Sequence, residues 1–391
     1  MRLRPLNGIR VLDLTNVLSG PYCSYQLALM GAEVVKVEVP GQGDLARRLG
    51  ADPELNAHGI GASFLAQNAD KKSLELDLKD PQDRRSFEEL VRGADVLVEN
   101  FRAGVLARLG YDWPDLQALN AGLVYCAISG FGQTGPMSAA PAYDQVIQGL
   151  SGMMSITGTP ETAPLRVGFP VSDTLGGLVG AMAVCAALAD RARGGPGRFI
   201  DVSMLEASVS AMGWPVSNYL VCGVEPEPMG DQNATAAPSG SFTAADGPLN
   251  IAANQQQQFE TLCTLVGRPD LATDPRFAER ESRKLHRSEL NAELNAALGQ
   301  QDAAHWEQLL TASGVPAARI ATVAQALALD QLRHRGFLSE LPYPDGSDRV
   351  LRVCGNGVQL DGRPLSPLTP PPLLGQHNAE RGELTSRWLA S

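Results

Sequence analysis

Aromatic residues make up only 5% of this 391-residue chain, and histidine is scarcer still, with five. Those five, His58, His286, His305, His334 and His377, lack the spacing of metal ligands, so no metal is expected. The six cysteines, Cys23, Cys126, Cys185, Cys222, Cys263 and Cys354, are scattered and form no CxxC pair. That pattern excludes a disulfide framework and a zinc ribbon, and fits free thiols in a reducing cytoplasm. The opening residues, MRLRPLNGIRVLDLT, hold no apolar stretch of the signal-peptide kind and run straight into a strand pattern. The longest mostly apolar stretch, residues 174–189, is shorter than the ~20 residues a bilayer requires and reads as a buried helix, so no membrane partner is expected. Positive charge is also in deficit. Lys and Arg number 32 against 43 Asp and Glu, and the net charge of −11 argues against nucleic acid as a partner.

What is abundant points to a globular α/β enzyme. Hydrophobic residues are 44% of the chain and charged residues 19%, a composition that folds. Forty glycines and 27 prolines imply many tight turns. The length exceeds one ordinary core and suggests two domains. Residues 9–14 (IRVLDL) form an apolar run of strand length. Ser19, Gly20 and Pro21 then open a helix that Gly31 stops. Residues 33–39 form the next strand, giving a βαβ unit with parallel strands. Strands at 73–78, 95–99 and 123–129 and a helix at 81–92 continue the alternation. A mainly parallel sheet covered by helices on both faces follows. Ligands of such sheets sit at the carboxyl ends of the strands, here Thr15, Asn16, Val17 and Leu18, Asn100 and Phe101, and Ser129 and Gly130.

The texture changes after residue 221. The expected organisation is a large domain over residues 1–221, a smaller α+β domain with its linkers over 222–325, and a segment at 326–391 that returns to the large domain. Its proline-rich stretch, 367–375, reads as an extended strap.

Three motifs carry possible chemistry. Gly130, Gly132 and Gly135 match GxGxxG, but Pro136 and Pro141 bracket a segment that cannot open a helix onto a pyrophosphate, so dinucleotide binding is not expected. Cys23 lies in the first turn of a helix, where a thiolate is favoured, yet no histidine is near, and a buried structural thiol is the default. Asp173 immediately precedes the long apolar helix. Such a residue is ordinarily a helix cap. The same position keeps a carboxylate ionised and suits a nucleophile, with Gly176 and Gly177 allowing a bulky ligand near the backbone.

Taken together, the segments resemble the class III CoA-transferases, the family of formyl-CoA and carnitine CoA-transferases (CaiB/BaiF type). The matching pieces are residues 5–44, 68–80 (NADKKSLELDLKD), 94–110 (ADVLVENFRAGVLARLG), 142–158 and 168–177 (GFPVSDTLGG). Residues 197–207, 267–283, 314–320 and 371–378 (PPLLGQHN) complete them. The match spans nearly the whole chain in order.

The resemblance implies that Asp173 is a nucleophile that attacks an acyl-CoA thioester and passes through a mixed anhydride and an aspartyl-CoA thioester. The substrates are then an acyl-CoA and a small carboxylic acid, with CoA as a substrate and no bound cofactor. The resemblance also implies CoA contacts at Asn16, Val17, Leu18, Leu76, Asn100, Phe101, Arg108 and Tyr143, with Arg47, Lys71 and Lys72 as helpers for the phosphates. It implies a Rossmann-like large domain and an interlocked homodimer. Formyl-CoA transferases carry glutamine where this chain has Leu18, arginine at Val39 and a poly-glycine lid at residues 233–240, so formyl-CoA and oxalate are not the expected substrates. The α-methylacyl-CoA racemases share the fold but use a histidine beside the aspartate that aligns with Asp144. Tyr143 stands there, and a phenol of pKa ~10 is a poor base. A non-catalytic acyl-CoA-binding protein would keep the pocket without needing Asp173.

Overall fold

The structure, a computed structural model, describes residues 4–390. By internal packing the chain falls into two compact units. One takes the chain up to Met154, then Arg166–Pro226 and everything from Asp330 on; the other takes Ser155–Leu165 and Glu227–Leu329. The composition change after residue 221 leaves the first segment unbroken, but residues 155–165 belong to the second unit. The excursion at Ser155–Leu165 joins the second unit through contacts such as the Gly158 carbonyl accepting from the Gly230 amide at 2.6 Å, which no local pattern announces.

The first unit is built on a six-stranded, all-parallel sheet. Its strands are β1 (Arg10–Asp13), β2 (Glu33–Glu38), β3 (Lys71–Glu75), β4 (Val96–Glu99), β5 (Val124–Ser129) and β6 (Arg198–Ser203), in spatial order β3-β2-β1-β4-β5-β6. Five helices of this unit position the site: α1 (Ser19–Leu29), α2 (Pro81–Gly93), α3 (Asp144–Leu150), α4 (Val171–Arg191) and α5 (Met204–Met212). Strand side chains alternate between faces, which makes two separate cores. Val11, Val34, Val96, Val124 and Cys126 pack with Cys23 and Leu27 of α1 and Ala181 and Val184 of α4. Leu12, Val35, Leu97 and Tyr125 pack on the opposite side with Phe87, Leu90 and Val91 of α2.

The strand expected at 73–78 is β3, Lys71–Glu75. Lys71 looks like a surface charge in the sequence, but it is buried in the strand against Asp13 at 3.0 Å. The apolar helix is also longer than expected: α4 runs 21 residues, enough by length and composition to cross a bilayer. Its small residues instead lie against α1 and β5. A Cβ at Gly177 would stand 2.5 Å from the Ser19 carbonyl oxygen, and one at Gly180 would stand 2.9 Å from Ile128. Gly176 and Gly177 therefore serve helix packing and leave no opening for a ligand. Gly177→Ala should lower stability by about 1–3 kcal/mol through overpacking against backbone. An unchanged thermal midpoint would mean that α1 and α4 separate at no cost.

The tail covers the free edge of β3, which would otherwise present unpaired backbone groups. The His377 amide donates to the Ser73 carbonyl, and the Ser73 amide to His377 Nδ1, both at 3.1 Å. A final helix, Arg381–Leu389, buries Trp388. The second unit has a three-stranded antiparallel sheet, β7 (Ser239–Ala244), β8 (Gly247–Ala252) and β9 (Ala317–Arg319). Phe242, Leu249, Phe259, Leu290 and Trp306 form its core, an α+β arrangement.

Candidate active site

In this sheet the chain leaves β1 toward β2 on one side and later returns to β4 on the other. The carboxyl ends of β1 and β4 therefore diverge, which opens a crevice between adjacent strands. A cavity of about 220 Å³ lies there, with the end of β5 as its third wall. Asn16, Val17 and Leu18 line it after β1, and Asn100, Phe101, Arg102 and Ala103 after β4. Ser129, Gly130, Ala142, Tyr143, Asp173 and Met204 close the rest.

The turn after β1 is held at almost every polar atom. The Asn16 amide donates to Asn100 Oδ1, and Asn100 Nδ2 donates back to the Asn16 carbonyl, both at 2.8 Å. The Val17 amide donates to Asp44 Oδ1 at 2.9 Å, and Gln67 Nε2 donates to the Val17 carbonyl at 2.7 Å. Val17 has φ +66, a conformation that costs a β-branched residue free energy and persists only where neighbours impose it. Behind the turn lies a fully buried charge network. Lys36 Nζ stands 2.9 Å from Asp44 and donates to the Thr15 carbonyl at 2.7 Å, and Lys71 pairs with Asp13.

Asp173 sits in the first turn of α4, at the third helical position. It is not the cap: the residue at the cap position is Pro170, and no side chain of α4 caps its own helix. The capping carboxylate comes from α3. Asp144 Oδ1 accepts from the Ser172 amide at 2.9 Å and from the Asp173 amide at 3.4 Å. Asp144 is buried and held at Oδ2 by Gln148 Nε2 at 2.7 Å, with Arg166 at 3.3 Å. The Asp173 carboxyl itself takes no hydrogen bond from any described residue. Burial, and then the nearby Asp144 charge, push it up to about 7. The helix terminus does not keep it ionised, because Asp144 already occupies the free amides there.

A cavity at the switch point of a parallel sheet, with an unbonded carboxyl group on its wall, can be compared with known proteins. The model of CoA-transferase family III matches residues 6–378. The chain belongs to CoA-transferase family III. It is 41% identical over 362 residues to acetyl-CoA:oxalate CoA-transferase of Acetobacter aceti, covering 92% of this chain and 88% of that one. It is 36% identical over 387 residues to succinate–glutarate CoA-transferase of Agrobacterium fabrum, covering 97% and 95%. Among solved structures, a CaiB/BaiF family protein from Brucella suis superposes with a TM-score of 0.85 at 35% identity, covering 98% of this chain and 100% of that one.

Of the residues singled out in the sequence, the transferase brings nine to one cavity: Asn16, Val17, Leu18, Asn100, Phe101, Ser129, Gly130, Tyr143 and Asp173. Five of the implied CoA contacts lie outside it. Leu76 is buried in the core beside Leu74 and Val37. Lys72 pairs with Glu380 at 2.8 Å, and Arg108 is exposed at the end of the Val105–Arg108 turn. Lys71 and Arg47 are unsuited to phosphates. Both are buried and paired, Arg47 with Glu38 at 2.7 Å, so ligand binding would leave a buried carboxylate alone. Sequence reasoning missed Arg102, among the described residues the one cation on the cavity wall, although it directly follows Asn100 and Phe101. Among the described residues no group of three His, Cys, Asp or Glu side chains could hold a metal.

Proposed function

We propose that this transferase moves CoA from an acyl-CoA to a carboxylic acid by covalent catalysis at Asp173. The observation that carries the reading is the Asp173 carboxyl, on the cavity wall and without a hydrogen-bond donor among the described residues. Its ionised oxygen attacks the thioester carbonyl, the C–S bond breaks, and a mixed anhydride and CoA thiolate result. The thiolate attacks the aspartyl carbonyl, expels the donor acid and leaves an aspartyl-CoA thioester. The acceptor carboxylate attacks that thioester to give a new anhydride, and the thiolate returns to the acceptor carbonyl and frees Asp173. A carboxylate needs no base to act as nucleophile once ionised. The anhydride must be kept from water, which suits a recessed site.

Incubation with acyl-CoA followed by hydroxylamine should place a hydroxamate on Asp173. An unmodified Asp173 during turnover would sink the mechanism. The acid limb of kcat/KM should fall near 7, because this parameter reports groups of the free enzyme. In Asp144→Asn the amide oxygen keeps the helix cap while the charge is lost. That limb should move down, raising kcat/KM at pH 6 by about threefold to tenfold. A limb that stays in place would assign the shift to burial alone.

A dicarboxylate acceptor is the best-supported substrate class. The relatives named above act on oxalate, or on succinate and glutarate. Leu18 and Val39 argued against oxalate, but a relative 41% identical is named for it, so oxalate belongs in the panel with glutarate and succinate. Arg102 supplies the wall with a cation for such an acid or for CoA phosphate. Homodimerisation has its own support. The helix Trp214–Cys222 buries none of its residues and exposes Trp214, Leu220 and Val221, an apolar face suited to a second copy. Free, exposed Cys222 and Cys354 favour a reducing, cytoplasmic setting.

A further inference from the structure

Glu99 ends β4, one residue before the turn that lines the cavity, and the mechanism above makes no use of it. It is 2% exposed, on the face of the sheet opposite α1 and α4. Burying a carboxylate without a cation is costly, so its retention calls for a role. Its two oxygens are both engaged. Oε2 accepts from the Phe101 amide at 2.6 Å, and Oε1 accepts from the Tyr125 hydroxyl at 3.0 Å. A cavity of about 160 Å³ adjoins it, walled by Trp113, Tyr125 and Phe199 with Asp112 at its edge, and among the described residues no Lys or Arg lines this space. The other titratable group acting on Glu99 is Asp201 of β6, whose charge opposes ionisation.

We propose that Glu99 is a positioning residue for CoA: through the Phe101 amide it holds the Asn100–Phe101–Arg102 turn in its binding shape, and it holds it more tightly when ionised. The geometry gives the first half. Asn100, the residue before Phe101, is tied through its side chain to the Asn16 backbone by two hydrogen bonds, which link this turn to the one after β1. Loosening the Phe101 amide therefore disturbs both turns of the crevice. The second half follows from hydrogen-bond chemistry. An ionised acceptor binds an amide about twice as strongly as a neutral one. A protonated Glu99 must also donate its proton, and the Tyr125 oxygen is the acceptor at hand, so the Tyr125 hydroxyl has to turn away. Burial first, and Asp201 in addition, raise this carboxyl to about 7, so the change occurs near neutrality.

This inference rests on CoA binding at the cavity, and the test separates the two. Binding of free CoA is measured by calorimetry between pH 6 and 8.5 in Asp173→Asn, which removes the other carboxyl that titrates there. The dissociation constant should rise about threefold to tenfold as pH falls through 7. Adding Glu99→Gln, whose amide oxygen still accepts from Phe101 without charge, should abolish the pH dependence and leave the weaker, low-pH value. Adding Tyr125→Phe instead should move the inflexion to higher pH, since a donor to the ionised form is lost. A purely structural Glu99 would change affinity without moving the inflexion. The proposal is overturned if the pH dependence survives Glu99→Gln, or if Tyr125→Phe leaves the inflexion in place. Absence of CoA binding in every variant would instead remove the transferase reading, and this inference with it.

Discussion

Asp173→Asn should lower transfer by about 10³-fold or more while leaving CoA affinity within a few-fold of the wild type, because the proposed nucleophile would form the covalent intermediates without holding the nucleotide. The same substitution should stabilise the protein at neutral pH. The sign follows from linkage. The Asp173 carboxyl is raised from 3.8 to about 7 in the fold, so the folded chain binds this proton more tightly than the unfolded chain does. Its ionisation therefore destabilises the fold, a cost absent below about 4, growing through the interval and complete above about 7. Removing the charge should recover on the order of 2 kcal/mol at pH 8, after allowance for solvent relaxation. At pH 4 the gain should vanish. Thermal melts of wild type and Asp173→Asn at both pH values check this. A destabilised Asp173→Asn at pH 8 would mean that the carboxylate is held by favourable contacts and is not strained. Activity bought at the expense of stability is common where a catalytic charge must remain reactive.

The scaffold was legible in the sequence because its signals are local. The apolar run of β1, the Ser19–Gly20–Pro21 start of α1 and the stop at Gly31, with φ +102, each act within a few residues. The wall of the cavity was legible for a different reason. A parallel sheet sends its ligands to the strand ends, and that rule selected Thr15–Leu18, Asn100–Phe101 and Ser129–Gly130, all but Thr15 on the cavity wall. The environment of the proposed nucleophile was not legible. Asp173 sits where a cap is expected, but the cap arrives from Asp144, 29 residues earlier, and this leaves Asp173 unbonded and hard to ionise. The charged residues misled in the same way. Lys71 and Arg47 carry the composition of surface residues or phosphate ligands, and only the fold reveals Asp13 and Glu38 opposite them. A residue type records its charge but not its partner.

The charge network beneath the turn after β1 gives the second large effect. Burial alone would raise the Asp13 carboxyl; Lys36 and then Lys71 outweigh it and hold it well below the usual range. Lys36→Met keeps the volume and removes one cation, leaving Asp13 and Asp44 to share Lys71. Breaking a buried pair in this way should cost about 3–5 kcal/mol. Asp13 should also become easier to protonate. Stability from a depressed carboxyl is lost as pH falls through its folded pKa, so acid unfolding of Lys36→Met should begin at a higher pH than in the wild type. The functional consequence is separable from the stability loss. Lys36 ties down the Thr15 carbonyl and Asp44, and Asp44 ties down the amide of Val17 at φ +66. With that restraint weakened, Val17 should relax toward negative φ and KM for acyl-CoA should rise. Glycine adopts positive φ without the steric cost that valine bears. Val17→Gly in the Lys36→Met background should therefore restore much of KM while the thermal midpoint stays low. Recovery of both would mean that the turn, and not the buried charge, accounts for the lost stability; recovery of neither would mean that the network does not act on the site through Val17.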